Sequence, residues 1–321
     1  MTILGIHHIV IVNRDAERAK DFYGRVLGLT FLGRTADPDG GVARLYFGDA
    51  TGSAGSLVAC SIQPQARRGL HGTGGTHHFA LAAPDTDALL MWKRRLTDLG
   101  VTIRGPYDRN YFRSIYMDDP DGGVVEIATV GPGFAVDEPA DALGREDRLP
   151  PDEAAISGRS EDDIKRLTWG EPVPEITAAM ALSHGLHHIT AIGGDIHRTQ
   201  AFFGDLFEMR RVKMTSNFDD PNSAHWYWGT GGGKPGTILT YFERDPHKTR
   251  IAVAGAGTAR HFALAVADQS ALEAWRDTLL GAGTAVEDVP GGPFSAIEFK
   301  DPDGQIVQIA CGTMPPTVGL L

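Results

Sequence analysis

Apolar residues along this chain follow a pattern that changes period and then repeats. From His7 the sequence runs HHIVIVNRD, a β-branched apolar stretch the length of one strand. It then switches to AERAKDFYGRVLG, where apolar residues recur at three- and four-residue spacing. That switch predicts a strand followed by an amphipathic helix. It happens three more times. HHFALAAPD from His77 precedes TDALLMWKRRLTDLG, HHITAIGGD from His187 precedes IHRTQAFFGDLFE, and RHFALAVAD from Arg260 precedes QSALEAWRDTLLGAG. In each copy the second residue is His, and an Asp follows it by seven positions: Asp15, Asp85, Asp195 and Asp268. Such an Asp can cap a helix, because its carboxylate accepts from the free N–H groups of the first turn. Three of the four helical patterns end in Gly, the usual C′ stop.

More strand-like runs follow each helix. In FRSIYMDDPDGGVVEIATV and FSAIEFKDPDGQIVQIACG, Asp-Pro-Asp-Gly separates two apolar runs and predicts a hairpin turn. Each unit therefore reads β-α-β-β-β, with modules over 5–64, 73–134, 184–244 and 257–313. Residues 1–135 would hold modules 1 and 2, and 184–321 modules 3 and 4. Residues 136–183, rich in Pro and charge, read as a linker with one short helix near Glu161–Leu167. A βαβββ module cannot close its own sheet. Two must pair edge to edge, so four give two half-barrels of an α+β fold.

Composition narrows the partners. The chain has 321 residues, a net charge of −11 and a pI of about 5.5. An acidic surface repels phosphate backbones and anionic lipid, which argues against nucleic acid and membrane partners. No apolar run approaches the ~18 residues of a membrane helix. Two cysteines, Cys60 and Cys311, make neither a disulfide framework nor a zinc cluster and fit a reducing cytoplasm. No signal peptide is legible. Self-association is left open.

Residues alternate faces along a strand, so His7 and His8 should point opposite ways unless the strand is bulged. One can be a metal ligand and its neighbour a supporting group. A repeated core histidine would explain the four His equally well. A carboxylate decides the matter: Glu126 stands between Val125 and Ile127, where an unpaired charge is costly. Gln308 takes its place in module 4. Two imidazoles and one carboxylate form the facial triad of non-haem Fe(II) oxygen chemistry. If modules 1 and 2 pair, that set is His8, His78 and Glu126; if 2 pairs with 3, it is His78, Glu126 and His188.

The repeated HHI…D strands with DPDG…E closures resemble the vicinal oxygen chelate superfamily, which includes glyoxalase I, bleomycin- and fosfomycin-resistance proteins and extradiol dioxygenases. A narrower resemblance is to the hydroquinone ring-cleaving dioxygenases. GLHHITAIGGDIHRTQAFFGDLFE is similar to the start of that family, and YDRNYFRSIYMDDPDGGVVEIATVGPGF to its end. The halves stand here in swapped order, as in a circular permutation. That family's metal joins its first and last modules, which implies His78, Glu126 and His188 as ligands, with His8 the alternative third.

The resemblance also implies Fe(II), with Mn(II) as an alternative, and an aromatic diol and O₂ as substrates. His187, Arg109, Tyr116 and His225 match the positions of supporting residues. It implies that His187 or Tyr116 moves the phenolic proton and that Arg109 stabilises an anionic intermediate. Phe112, Trp226 and Trp228 are candidates for an apolar wall. The competing readings are a glyoxalase-type lyase or isomerase, which tends to use more carboxylates, and a metal-free drug-sequestering protein, in which a buried Glu126 has no use.

Overall fold

The computed structural model describes residues 2–148, 158–182, 184–217 and 220–314. Each module forms the expected unit. Module 1 contributes strands β1 (Gly5–Asn13), β2 (Thr30–Thr35), β3 (Ala43–Gly48) and β4 (Leu57–Ile62). Module 2 contributes β5 (Gly75–Ala83), β6 (Arg104–Asp108), β7 (Arg113–Asp118) and β8 (Val124–Thr129). A two-residue strand, β9 (Asp147–Arg148), precedes module 3, which holds β10 (Leu186–Gly193), β11 (Arg210–Asn217), β12 (Asp220–Gly229) and β13 (Ile238–Glu243). Module 4 adds β14 (Ala259–Ala265), β15 (Glu287–Asp288), β16 (Ser295–Lys300) and β17 (Ile306–Cys311).

Two half-barrels result. Among the described residues, one sheet has eight strands in the order β15-β16-β17-β14-β1-β4-β3-β2, and the other has nine, in the order β6-β7-β8-β5-β10-β13-β12-β11-β9. Modules 1 and 4 therefore share one sheet and modules 2 and 3 the other. The leading strands meet antiparallel at each centre, β1 against β14 and β5 against β10.

The helices begin where the repeated aspartates stand. Asp15, Asp85, Asp195 and Asp268 each accept from backbone N–H groups of the following turn. Three helical segments stop at Gly28, Gly100 and Gly283, each with φ between +72° and +80°. The fourth ends at Glu208, held at φ +53° without the freedom of glycine.

Alternation along the strands sorts the core. Phe79, Leu81, Val125 and Ile127 join one large apolar cluster that includes Trp92, Phe207 and Trp275 from the helical side. The opposite faces, which carry the repeated histidines, hold smaller clusters: Ala80, Ala128 and Tyr227 in one sheet, Val10, Tyr46 and Ala59 in the other.

The two Asp-Pro-Asp-Gly turns do more than reverse the chain. Asp119 accepts from Asn13 Nδ2 at 2.8 Å and Tyr23 Oη at 2.9 Å, and Asp121 from Arg14 Nε at 2.7 Å, all in module 1 of the other half-barrel. Asp301 accepts from Tyr241 Oη at 2.8 Å in the same cross-sheet manner. Each turn clasps the opposite half-barrel.

Part of the expected linker is structural. The helix Glu161–Arg166 forms as anticipated. Upstream, however, Phe134 and Leu143 enter the core of the nine-stranded sheet. Asp137 and Glu138 both reach the buried Lys213 ammonium at 2.6 Å. Their charges, in a stretch expected to be linker, neutralise a buried cation. No helix among the described residues is long and apolar enough to cross a membrane.

Candidate metal centre

Three adjacent strands of the nine-stranded sheet bring His78, Glu126 and His188 together. Glu126 lies opposite Ala80 in the parallel β5–β8 pair, and His188 opposite the same Ala80 in the antiparallel β5–β10 pair. His78, two residues from Ala80, shares its face. The Nε2 atoms of His78 and His188 stand 2.8 and 3.2 Å from Glu126 Oε2 and 3.4 Å from each other. Among the described residues this is the group whose three potential metal donors converge. Glu126 is 0% exposed. Burial pushes its carboxyl up, and the imidazoles of His188 and His78 more than reverse this, holding it well below the usual range. A buried carboxylate facing two imidazole nitrogens from two other strands fits a divalent cation.

His8 lies elsewhere. Its Nε2 faces His261 Nε2 at 3.3 Å in the eight-stranded sheet.

The doubled histidines do not point apart. Strand pairing skips one residue between Ile6 and His8, between Leu186 and His188, and opposite Thr190–Ala191 where His77 lies. This bulge turns neighbouring rings toward one another. Nδ1–Nδ1 distances are 2.9 Å for His7–His8, 2.7 Å for His77–His78 and 2.9 Å for His187–His188. For His187 the proton positions follow. Burial lowers its pKa to about 3, so it is neutral. Its Nε2 lies 3.1 Å from the Thr129 carbonyl, which can only accept, so Nε2 carries the hydrogen. Its Nδ1 is then an acceptor, His188 Nδ1–H donates to it, and His188 Nε2 is the nitrogen turned toward the centre. His7 makes the same arrangement through the Gly312 carbonyl at 3.1 Å.

A cavity of about 400 Å³ opens on the triad. Tyr116, opposite Glu126 in the β7–β8 pair, sets its ring edge-on to His78 at 5.5 Å. Burial, then the Glu126 charge, raises its phenol well above the usual range. Arg109 lines the same cavity, and its charge opposes that rise. His225 is also in the lining, and burial followed by the Arg109 charge holds it well below its ordinary pKa, hence neutral. His187 does not line the cavity: both its nitrogens are engaged behind His188.

The apolar wall differs from expectation. Phe112 lines it, with Tyr227 and Phe242, whereas Trp226 and Trp228 do not. Strand alternation explains this: His225 and Tyr227 face the cavity, so the two tryptophans face the helical side. There Trp228 Nε1 donates to Gln200 Oε1 at 2.8 Å, and Trp226 lies under Arg211. The sequence reading also missed Arg104, Arg244 and Asn217, which reach the lining from strand ends. The only sequence signal for them was their place in modules 2 and 3.

The eight-stranded sheet repeats the frame with different chemistry. Gln308 lies opposite Ala263 as Glu126 does opposite Ala80. Its amide donates to Glu298 at 2.9 Å, and Glu298 pairs with Arg260 at 3.2 Å. Phe294 packs on His7 and His8 at 4.7 and 5.3 Å, as Phe112 packs on His187 and His188.

Comparison with known proteins agrees with this architecture. Over 125 residues the chain is 35% identical to MhqO of Bacillus subtilis (strain 168), which its name provisionally assigns as a ring-cleaving dioxygenase. The match covers 39% of each chain. It is 33% identical over 176 residues to the chlorohydroquinone/hydroquinone 1,2-dioxygenase of Sphingobium indicum, covering 54% of this chain and 51% of that one. The matched stretches thus span about two fifths to one half of these relatives. Among solved structures, a Bacillus subtilis protein with a provisional dioxygenase label superposes with a TM-score of 0.72 at 22% identity, covering 98% of this chain and 86% of its own. Glyoxalase I of Zea mays follows with 0.62 at 18% identity, covering 96% and 92%. The family model for the glyoxalase/bleomycin resistance protein/dioxygenase superfamily matches residues 5–127 and 185–309, most of the sequence, and the chain belongs to that superfamily.

Proposed function

We propose that this protein is a non-haem iron dioxygenase that cleaves the ring of an aromatic diol, and that His78, Glu126 and His188 hold the metal. The observation that carries the reading is Glu126: a fully buried carboxylate with two imidazole Nε2 atoms 2.8 and 3.2 Å from one of its oxygens. Ring-cleaving dioxygenases among its relatives support the reaction class. When bound, Fe(II) would supply Lewis acidity and the one-electron steps that O₂ requires.

The protein's own groups do the rest. Phe112, Tyr227 and Phe242 offer flat apolar surface to one ring and exclude water. Tyr116, neutral and beside Glu126, is placed to give or take a proton at a substrate oxygen through its Oη. Arg109 offers positive charge where negative charge develops on the ring. We assign His187 a positioning role in place of the proton transfer expected of it, because its Nδ1 orients His188. A glyoxalase-type isomerase would call for a second carboxylate, and among the described residues Glu126 is alone in the triad.

The test is metal analysis of anaerobically purified protein together with O₂ uptake on hydroquinone, catechol and their substituted forms. We expect about one iron per chain and O₂ consumed with a diol. Protein that takes up no metal while folded, or iron-loaded protein that consumes no O₂ with any diol, overturns the proposal.

A further inference from the structure

The cavity carries a charge pattern that the ring-cleavage reading does not require. The whole chain has a net charge of −11, yet three guanidinium groups line this cavity: Arg104, Arg109 and Arg244. No Asp or Glu lies in the lining among the described residues, and the triad's Glu126 stands behind it. Low-dielectric walls focus such a field and draw in ligands of opposite sign.

Two of the three arginines hold carboxylates only loosely. Arg244 Nη1 meets Asp220 at 3.2 Å, with side chains 28% and 48% exposed. Arg104 meets Asp118 at 2.8 Å, with 42% and 51% exposed. Exposed pairs of this kind contribute at most about 1 kcal/mol, so a ligand carboxylate can displace them. Arg244 is also well placed. Its guanidinium lies 5.6 Å from the Phe242 ring, and the His78 ring lies 6.3 Å from that same ring. Phe242 thus neighbours both a triad histidine and the cation, in a cavity of about 400 Å³ that can take one substituted benzene.

A second observation is independent of charge. His225 Nε2 is buried and has no hydrogen-bond partner among the described residues. Its Nδ1 meets Tyr227 Oη at 3.0 Å, which in turn meets Tyr111 Oη at 3.0 Å. A phenol is the better donor and an imidazole nitrogen the better acceptor, so the chain of O–H groups ends on Nδ1. That leaves Nε2–H as a donor in the cavity wall with nothing to receive it. A ligand oxygen would.

We propose that the substrate is an aromatic diol bearing a carboxylate: Arg244 pairs with the carboxylate at the mouth, His225 Nε2–H donates to an oxygen on the ring, and the hydroxyl-bearing edge faces His78, Glu126 and His188. This rests on the dioxygenase reading for what happens to the ring, but the recognition can be tested without turnover. Calorimetric titration of the protein would compare 2,5-dihydroxybenzoate and 3,4-dihydroxybenzoate with their methyl esters, which match their shape and lack the charge, and with hydroquinone and catechol. We expect at least one acid to bind about tenfold or more tighter than its ester, with the preference shrinking as salt rises from 20 to 500 mM. Arg244→Gln should collapse the acid-to-ester ratio toward one, while Arg244→Lys retains part of it. Equal or tighter binding of the esters, or a ratio that Arg244→Gln leaves intact, overturns the proposal. O₂ uptake is read separately: acids that bind preferentially to iron-loaded protein that consumes no O₂ with any diol would sink the dioxygenase reading and leave the anion site standing.

Discussion

Glu126 and Gln308 occupy equivalent places in two similar sheets and differ by one oxygen for one nitrogen. The first faces two imidazoles, whereas the amide of the second donates to Glu298. A neutral amide cannot offset a dication. We therefore expect Glu126→Gln to lose bound iron, measured by elemental analysis, with at least about a hundredfold fall in O₂ uptake if the triad reading holds. His187→Ala should act more mildly. The ligand nitrogen survives but its tautomer is no longer set, so iron affinity should drop about 10- to 100-fold in a chelator competition while the fold persists. Glu126 stood out in the sequence because a charge among valines and isoleucines has few explanations. The role of His187 was not, since sequence alternation predicts opposed neighbours and only the bulge brings their rings together. Glu208 offers a test away from the site. It stands where the other three helical segments place a glycine, so Glu208→Gly should raise stability by about 1 kcal/mol in chemical denaturation.

At the level of elements, hydrophobic period and Asp caps predicted each leading strand and helix, because those signals are local. Signals that depend on a partner were lost. Trp226 and Trp228 resembled a binding wall until the pairing of β12 fixed which alternate residues face inward. The acidic stretch after module 2 resembled linker because the cation it serves, Lys213, lies some seventy-five residues further on. Removing that cation by Lys213→Ala leaves Asp137 and Glu138 without a counter-charge and should cost about 3–5 kcal/mol, read from the denaturation midpoint. The helix Thr86–Asp98 is held by Trp92, which is fully buried and donates from Nε1 to the Met180 carbonyl at 2.6 Å. Trp92→Ala should cost a similar 3–5 kcal/mol.

At the scale of the whole molecule, periodicity could not choose how four modules pair, because every leading strand has a similar edge. The structure joins 2 with 3 and 1 with 4, and the Asp-Pro-Asp-Gly turns then cross between the sheets. One of these clasps should respond to pH. Burial lifts the Asp301 carboxyl from 3.8 to about 6. The folded state thus keeps a proton that the unfolded chain has released. This contribution is fully present below about pH 4 and is lost as pH rises through 6, amounting to about 3 kcal/mol. Asp301→Asn keeps the turn's acceptor oxygen but cannot ionise, so the fall in melting temperature from pH 4 to pH 7 should be smaller in the variant than in the wild type.

The pairing also sets an order of events during synthesis. His78 waits for His188, 110 residues later, and His8 for His261, 253 residues later. The inner pair of modules is enclosed by the outer pair like nested brackets. A growing chain can complete the half-barrel of modules 2 and 3 once module 3 has left the ribosome, whereas module 1 stays without its partner edge until module 4 emerges. Closure over so long a stretch of chain is slow. The β1 edge, which carries Ile6, Ile9, Val10, Ile11 and Val12, is therefore the surface that most needs shielding while the protein is being made.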